Sequence, residues 1–584
     1  MAVSKVIVNN VTRVDLTSDT VAEDKLLSGY TAHDASGTAI TGTATGGTDG
    51  QPIRNDVTFM DYDGTVLYGY SATAFASLTE MPANPSHTGL TAQGWNWDLT
   101  SAKSYVATYG KILIGQNYIT SDGKTRVYIK IEDTSLLKLR LTIAKNSNVS
   151  GFDAAIDWGD GNTSNNIGTT STTPVGIVHE YASIGEYTIA ITVNSGKIDF
   201  RCYAENYFFL QPYDGNYGNV CKAYCALVQK IELGDNFGVI GQYAFQSCTQ
   251  LKTITIPKNI TIGGYAFRLC YNLKAIVLNT GFHSSASYVF YQCYALTSVT
   301  IGNASGYTWL PYYGFTNCRS LRYFTISDVI DRIDTYAFQD CHSLEDIIIP
   351  NSVTDIGSYA FNNCRSATNL YLSTSISNIP SYAFQYCASL TKVIIPSNVT
   401  VISSNAFEYC GALDEVVLNE GIVTIQGYVF RYCYNLSKIN FPSTLKTISN
   451  AVFYNATLTE VIIPSTVTSL SNNTFSYNYA LSKIQFLPNF SGATDFGYMF
   501  QACSSLPSVT VPSCVTTLGS AAFNGCLALR EIHFKSSTPP TATSSNTFYQ
   551  VPNICKIYVP SGSLSAYTSA TNYPSSSTYT YVTE

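Results

Sequence analysis

The chain has 584 residues, too many for a single hydrophobic core, so several domains or one repeat array must share the burial. Charged residues make up only 12% of the chain and the formal net charge is −7, which gives no positive field for nucleic-acid backbones. No apolar run approaches the ~20 residues of a membrane-spanning helix, and the first ten residues lack the apolar stretch of a signal peptide. We therefore expect a protein that is made in the cytosol, binds no nucleic acid and inserts into no membrane.

The first 50 residues are predicted to be an attachment segment that ends in a flexible Gly- and Thr-rich linker. Residues 26–43, LLSGYTAHDASGTAITGT, resemble N-terminal segments of phage and prophage tail proteins. The resemblance implies contacts with other tail proteins through the N-terminus and a place in the virion tail. Tail fibres of this kind are often homotrimers, so it also implies a homo-oligomer.

Two small β modules are predicted next. Within residues 51–125, VTFMDYDGTVLYGY and PANPSHTGLTAQGWNW are similar to the β-grasp-like modules of internalin B-repeats. Trp95 and Trp97 alternate along a strand, so one is expected in the core and the other at the surface.

Residues 126–200 contain IDWGDGNTS and HEYASIGEYTIAITV, which resemble a PKD-type β-sandwich. Calcium at Asp157 and Asp160 is one interpretation of the acidic turn, but a hydrogen-bonded structural turn suits it better. Residues 201–225 are predicted to cap the repeat array. Cys221 and Cys225 have three residues between them, which indicates packed thiols rather than a zinc or redox site.

From residue 226 onward the pattern Tyr-Ala-Phe-x-x-Cys recurs every 22 to 25 residues, a period typical of solenoids. Its phenylalanines are Phe245, Phe267, Phe290, Phe315, Phe338, Phe361, Phe384, Phe407, Phe430, Phe453, Phe475, Phe500, Phe523 and Phe548. A short strand such as Leu344–Ile349 follows each one, and no turn can bury its apolar residues alone. We therefore predict about fourteen stacked turns with a parallel sheet, extending roughly 65 Å.

The repeats SLEDIIIPNSVTDIGSYAFNNC (343–364) and SLTKVIIPSNVTVISSNAFEYC (389–410) resemble the BspA-type leucine-rich repeat family. The resemblance implies a mainly β chain, with a solenoid over 226–560 and a capping segment over 561–584. Ala456, Asn478 and Val551 replace the expected cysteine, and the turns ending at Phe315, Phe500 and Phe548 are longer, so looser packing is expected there. Eleven of the sixteen cysteines occupy the same repeat position, which predicts buried, reduced thiols.

Catalytic patterns are weak. The six histidines are scattered, and Asp122-Gly-Lys-Thr125 lacks the leading glycine of a phosphate loop, so we predict no metal, no cofactor and no enzyme. A glycan depolymerase would need two nearby carboxylates, for which Asp340, Asp346, Asp414 and Glu415 are candidates. One outward position runs Asp346, Asn369, Lys392, Glu415, Lys438, Glu460 and Lys483 in successive turns. Carboxylates between lysines stay ionised, which favours a structural ladder.

Positions that vary between turns are candidates for binding, because constant positions serve packing. The receptor-binding candidates are Arg268, Tyr271, Tyr291, Tyr294, Arg319, Tyr323, His342, Arg365, Tyr371, Tyr386, Tyr409, Arg431, Tyr432 and Tyr434. The recurrent tyrosines two residues before phenylalanine are instead predicted to be scaffold, namely Tyr243, Tyr265, Tyr288, Tyr336, Tyr359, Tyr382 and Tyr428. A second candidate surface is the outward sheet face with Tyr323, Tyr371, Asn440, Gln485 and His533.

Tyr, Arg and His suit adaptable recognition of glycans or protein loops. The sequence therefore predicts a phage tail fibre or receptor-binding adhesin that recognises a bacterial surface glycan or protein. The alternatives are a bacterial cell-surface leucine-rich-repeat adhesin and a tail-borne glycan depolymerase.

Overall fold

The computed structural model describes residues 56–584 except 172, 203–208, 215–218, 280 and 303–307, together with four strands near the N-terminus. These are β1 (Lys5–Val8), β2 (Val11–Asp15), β3 (Thr31–His33) and β4 (Ala39–Thr41), paired as two antiparallel hairpins. The rest of the segment that resembles phage tail proteins, and the predicted linker, lie outside the described residues. None of the helices in the described part of the chain is long and apolar enough to cross a membrane.

Residues 56–120 form a four-stranded sheet, order β6-β5-β8-β7, with helices α1 and α2. Its elements are β5 (Val57–Met60), β6 (Val66–Tyr70), α1 (Ala72–Ala76), β7 (Leu90–Trp95), α2 (Leu99–Tyr109) and β8 (Ile112–Thr120). We call this unit the N-terminal module. The expectation that only one tryptophan is buried is wrong, because β7 ends at Trp95 and Trp97 packs on the ring of Tyr105 in α2, with centroids 5.2 Å apart.

Residues 125–200 form two facing sheets that continue into the repeat array. Their strands are β9 (Thr125–Ile131), β10 (Lys138–Lys145), β11 (Phe152–Asp157), β12 (Thr163–Thr169), β13 (Val175–Glu180), β14 (Gly185–Ser195) and β15 (Ile198–Phe200). Strand β16 (Leu210–Pro212) and helix α3 (Asn219–Cys225) follow. The sandwich and the repeats share one hydrophobic core, so the sandwich ends the rod and is not a separate spacer.

Each repeat makes one turn of a parallel β-solenoid with two rows of strands. The first row is β17 (Val228–Glu232), β19 (Thr253–Thr255), β21 (Ala275–Leu278), β22 (Ser298–Ile301), β24 (Tyr323–Thr325), β26 (Asp346–Ile348), β28 (Asn369–Tyr371), β30 (Lys392–Ile395), β32 (Glu415–Leu418), β34 (Lys438–Ile439), β36 (Glu460–Ile463), β38 (Lys483–Phe486), β39 (Ser508–Val511), β41 (Glu531–Phe534), β43 (Lys556–Val559) and β44 (Thr580–Thr583). The second row is β18 (Phe237–Ile240), β20 (Thr261–Ile262), β23 (Trp309–Leu310), β25 (Arg332–Ile333), β27 (Asp355–Ile356), β29 (Asn378–Ile379), β31 (Val401–Ile402), β33 (Thr424–Ile425), β35 (Thr447–Ile448), β37 (Ser469–Leu470), β40 (Thr517–Leu518) and β42 (Thr541–Ala542). The predicted mainly β, leucine-rich-repeat solenoid is confirmed, with about fifteen turns.

The two ends of the solenoid are covered. At the first turn, β9 of the sandwich pairs antiparallel with β17, while β15 pairs parallel with β18. At the last turn, β44 adds to β43, and helix α4 (Leu564–Thr568) places buried Tyr567 against the core. The sandwich thus occupies the strand edges of the first turn, whereas β44 is the outer strand of the sheet at the last turn.

The repeat motif builds the third side of each turn from a row of stacked phenylalanines. The rings from Phe245 to Phe548 lie in one unbroken ladder, with neighbouring centroids 5.1–6.3 Å apart. The residues two before and two after phenylalanine are left-handed in every repeat except at Asn546, as at Tyr359 and Asn363 with φ of 58° and 64°. Amides of these alternate residues donate to the next turn, so this side is hydrogen-bonded without being a regular strand.

The repeat cysteines are buried thiols, as predicted, and each links two turns. The Sγ of Cys387 donates to the carbonyl of Phe361 in the preceding turn at 3.3 Å, and the other repeat cysteines from Cys270 onward do the same. None of the sixteen cysteines forms a disulfide, and fifteen are buried.

The turns that depart from the motif are not uniformly looser. Asn478 takes over the cysteine's role, since its buried amide donates to the carbonyls of Phe453 at 2.7 Å and Phe475 at 3.0 Å. Of two longer turns, the one ending at Phe315 keeps a 5.2 Å ring spacing. The one ending at Phe500 has the widest spacing in the ladder, 6.3 Å.

We expect Asn478→Ala to lower the free energy of unfolding by about 1–3 kcal/mol, because the buried Leu458 amide loses its acceptor and the carbonyls of Phe453 and Phe475 each lose one donor. Urea denaturation of the full chain measures the change. Asn478→Cys is the matched control, because it restores the repeat consensus and keeps a donor. It should lower the free energy of unfolding less than Asn478→Ala does. Equal losses for the two variants would contradict the assigned role.

Candidate binding surfaces of the solenoid

The outward face of the first strand row is divided into a covered and an open part. The N-terminal module covers the strands β19 to β24, and β8 lies against them. The buried amides of Asn96 and Asn117 donate to the carbonyls of Leu278 and Ile256, both at 2.9 Å. Gly115 allows this approach, because a Cβ there would lie 2.5 Å from Thr300 Cγ2.

The covered part includes one predicted binding residue. Tyr323 is half-buried and packs against the cluster formed by Met60, Leu113 and Ala275. Lys111 of the module also pairs with Asp346 at 2.7 Å. The expectation of an open sheet face at Tyr323 is therefore wrong, because the module packs against this part of the face.

The open part exposes large apolar side chains. Tyr371 is 50% exposed, Ile394 52% and Ile462 42%, and half-buried Val417 lies between the last two. We call these four apolar residues the apolar stripe; exposed Asn440 lies in the same row between Val417 and Ile462. Beside it lies an open groove of about 710 Å³ lined in part by Val417, Asn440 and Ile462. Solvent-facing positions of a sheet are normally polar, so the stripe marks a surface able to bind an apolar partner.

A charged row runs beside the stripe, as the sequence predicts. Lys392 pairs with Glu415 at 2.8 Å, and Lys483 pairs with Glu460. Asn369 donates to Asp346 at 2.6 Å. The acids considered for glycan cleavage are thus held by cations or hydrogen-bond donors of adjacent turns.

The remaining residues predicted for the outward sheet face lie along this face. The Asn440 amide bonds both the N–H and the carbonyl of Leu418, and Gln485 is exposed. His533 stacks on Tyr558 with centroids 4.3 Å apart and contacts Glu584 at 2.9 Å.

The candidates four residues after phenylalanine fall into one row along the rod. Its members with extended side chains are Tyr271, Tyr294, Arg319, His342, Arg365 and Tyr434, and Ala388 and Gly411 fill the two turns between Arg365 and Tyr434. We call this the edge row. The Tyr271 and Tyr294 rings stack at 5.1 Å, and the Arg319 guanidinium lies 5.4 Å from the Tyr294 centroid.

Two tyrosine ladders run along the rod, at the positions two residues before and two residues after phenylalanine. The first contains the predicted scaffold tyrosines from Tyr243 to Tyr382, stacked 4.4–5.0 Å apart, and Tyr313. Sequence reasoning missed Tyr313, although counting two residues back from Phe315 would have found it. Tyr428 lies apart from this ladder, 5.2 Å from the Arg431 guanidinium.

The second ladder consists of the candidates Tyr386, Tyr409 and Tyr432, stacked at 4.7 and 4.6 Å. Neighbouring rings cover each other's faces and leave mainly edges and hydroxyls to solvent. Such a ladder suits hydrogen bonding better than stacking on a sugar face.

The remaining candidates are partly engaged within the chain. Arg268 lies over the rings of Tyr265 and Tyr291 at 5.6 and 6.0 Å. Arg431 lies over Tyr432 at 4.6 Å and is 3.5 Å from the buried carboxylate of Glu408.

The acidic turn of the sandwich is internally hydrogen-bonded. Asp157 accepts from the Gly159 amide at 2.9 Å, and Asp160 accepts from the Asn162 amide at 3.0 Å. Asp160 also contacts His179 at 2.8 Å, and His179 stacks flat on Trp158. Across the described residues, no group of three or more His, Cys, Asp or Glu side chains has metal-site geometry.

Comparisons with known proteins identify the repeat. The BspA-type leucine-rich repeat region model matches in six copies over residues 217–309, 308–437, 400–496 and 497–581. A search of curated proteins finds no match.

Solved structures of low sequence identity are similar. A leucine-rich repeat protein from Bacteroides ovatus is 19% identical, over 61% of this chain and 94% of that one, with a TM-score of 0.39. A leucine-rich cell surface protein from Faecalibacterium prausnitzii is 22% identical, over 47% and 83%, with a TM-score of 0.27. A leucine-rich repeat protein from Eubacterium ventriosum is 17% identical, over 57% and 90%, with a TM-score of 0.29. Because the family model matches well over half of its residues, the chain belongs to the BspA-type leucine-rich repeat family.

Proposed function

We propose that the chain is a non-enzymatic adhesin whose solenoid recognises a glycan or protein receptor. The observation that carries the proposal is the apolar stripe. At the stripe's position in the repeat, the strands under the N-terminal module carry Val277, Thr300 and Thr325, which are buried. On the open part they become Tyr371 and Ile394, whose exposure is costly unless a partner covers them.

A place on the bacterial cell surface is the first candidate, because it is typical of proteins with BspA-type repeats. A stiff rod with covered ends would hold the binding surface at a distance from the cell. The charged row favours binding over glycan cleavage, because its acids are paired with lysines or amides.

A phage tail fibre is the second candidate, and it would be a homo-oligomer joined to other tail proteins through its N-terminus. The resemblance of residues 26–43 to tail-protein segments supports it. Avidity from several copies would compensate for weak single contacts. Co-sedimentation with phage particles would select this candidate, and digestion by protease added to intact producing cells would select the first.

The stripe is tested with the double variant Ile394→Asp/Ile462→Asp of the fluorescently labelled full chain. We expect binding to receptor-bearing cells to weaken about tenfold or more, because two carboxylates would be desolvated in the interface. Flow cytometry over a concentration series measures the change.

The matched control is Val423→Asp/Leu527→Asp, which places two carboxylates at exposed aliphatic positions away from the strand face. It should bind like the wild type, and thermal unfolding checks that both variants fold. Wild-type binding by the stripe variant, or an equal loss in the control, would refute the role of the stripe.

A further inference from the structure

The edge row contains two arginines that are held at a regular distance. Arg319 and Arg365 occupy the same position of the repeat two turns apart, with His342 between them. Since neighbouring turns are about 4.8 Å apart, the two backbone positions are roughly 10 Å apart along the rod. Both arginines are exposed, and His342 is half-buried.

Each guanidinium is oriented by the asparagine two residues before it. Arg365 donates from Nε to Asn363 Oδ1 at 2.7 Å, and Arg319 donates from Nε and Nη2 to Asn317 Oδ1 at 3.3 and 3.1 Å. Both asparagines are left-handed, with φ of 64° and 61°. These bonds occupy only part of the guanidinium, so each arginine keeps N–H donors for an anion while losing little rotamer freedom on binding.

The charge around the row favours an anion, although the chain as a whole is negative. Asp340 is the nearby acid, and it accepts from Asn363 at 2.5 Å and lies 3.6 Å from His342. Burial, followed by the positive charge of Arg365, lowers the pKa of His342 despite Asp340. Counted by formal charge, the two guanidiniums of Arg319 and Arg365 exceed the carboxylate of Asp340 by one.

The shape of the row favours a linear ligand. It is continuous from Tyr271 to Tyr434, seven steps of about 4.8 Å or roughly 34 Å. Small residues, Ala388 and Gly411, form its floor beyond Arg365, and Tyr434 lies over Gly411. The row offers guanidinium, imidazole and hydroxyl groups and no aliphatic side chain longer than that of alanine, which favours a polysaccharide over a peptide.

We propose that the edge row binds an extended acidic polysaccharide along the rod axis, with sugar carboxylates on the guanidiniums of Arg319 and Arg365. This inference rests on the proposed function, because it names the ligand class of one surface. It uses a different side of the turn from the apolar stripe, so the two surfaces can be tested separately.

The test measures binding of the full chain to polygalacturonate, with neutral dextran and poly-L-glutamate as comparison ligands, by isothermal titration calorimetry. We expect polygalacturonate to bind most tightly. The double variant Arg319→Gln/Arg365→Gln should weaken that binding about tenfold or more, because charge-assisted bonds are lost. The affinity of the variant Arg319→Lys/Arg365→Lys should lie between those of the wild type and the glutamine variant, because lysine keeps the positive charge but lacks the bidentate donor geometry of the guanidinium.

The control Arg332→Gln/Lys446→Gln removes two exposed positive charges beside the second strand row and should bind like the wild type. Equal affinity for dextran, tighter binding of poly-L-glutamate, or an equal loss in the control would each overturn the inference. The stripe variant Ile394→Asp/Ile462→Asp should still bind polygalacturonate. If the wild type binds polygalacturonate but no cells, the proposed function fails and the inference stands.

Discussion

Replacing Phe407 by alanine is expected to lower the free energy of unfolding by about 3–5 kcal/mol, the range for truncating a buried aromatic side chain. Phe407 is fully buried and stacks between Phe384 and Phe430, with centroids at 5.3 and 5.7 Å. The ladder allows little collapse around the cavity, because each ring is held by its neighbours. Urea denaturation followed by circular dichroism measures the loss.

The matched control for Phe407→Ala is Ile394→Ala in the same repeat, where the side chain is 52% exposed. Its effect should stay within about 0.5 kcal/mol. Because each turn contacts mainly its neighbours, Phe407→Ala should also broaden the transition or divide it in two. A loss no larger than that of the control would show that the phenylalanine ladder does not stabilise the solenoid.

The thiols of the native protein are expected to resist alkylation, except for Cys514. Fifteen cysteines are buried and only Cys514 is partly accessible. Burial raises the pKa of the Cys341 and Cys433 thiols and raises the pKa of Cys526 to about 12, so the reactive thiolate is scarce at pH 8. Intact-mass measurement after iodoacetamide should show one label without urea and sixteen with it.

The control for the alkylation experiment is Cys514→Ser, which should remove the label from the native protein. Labelling of the repeat cysteines at the same rate with and without urea would contradict their burial. Disulfide-linked peptides in a non-reduced digest would contradict the row of reduced thiols.

The binding surfaces were harder to predict than the fold. The sequence singled out the variable residues just after each phenylalanine without dividing them into rows, and the structure brings Tyr271, Tyr294 and Arg319 together in the edge row. The covering of the strand face near Tyr323 could not be read from periodicity, because it depends on contacts between residues far apart in the chain. The small outward residues Ala275 and Ser298 were the available signal.

The sequence by itself determined the solenoid, one of its two strand rows and its buried thiols, because a repeat leaves each turn only its neighbours as packing partners. Tertiary structure alone decided that the sandwich shares the solenoid core and that the N-terminal module covers part of the strand face. Both depend on single matches of shape and hydrogen bonding, such as Gly115 against Thr300 and Asn117 with the Ile256 carbonyl. Such matches occur once in the chain, so a periodic pattern cannot predict them.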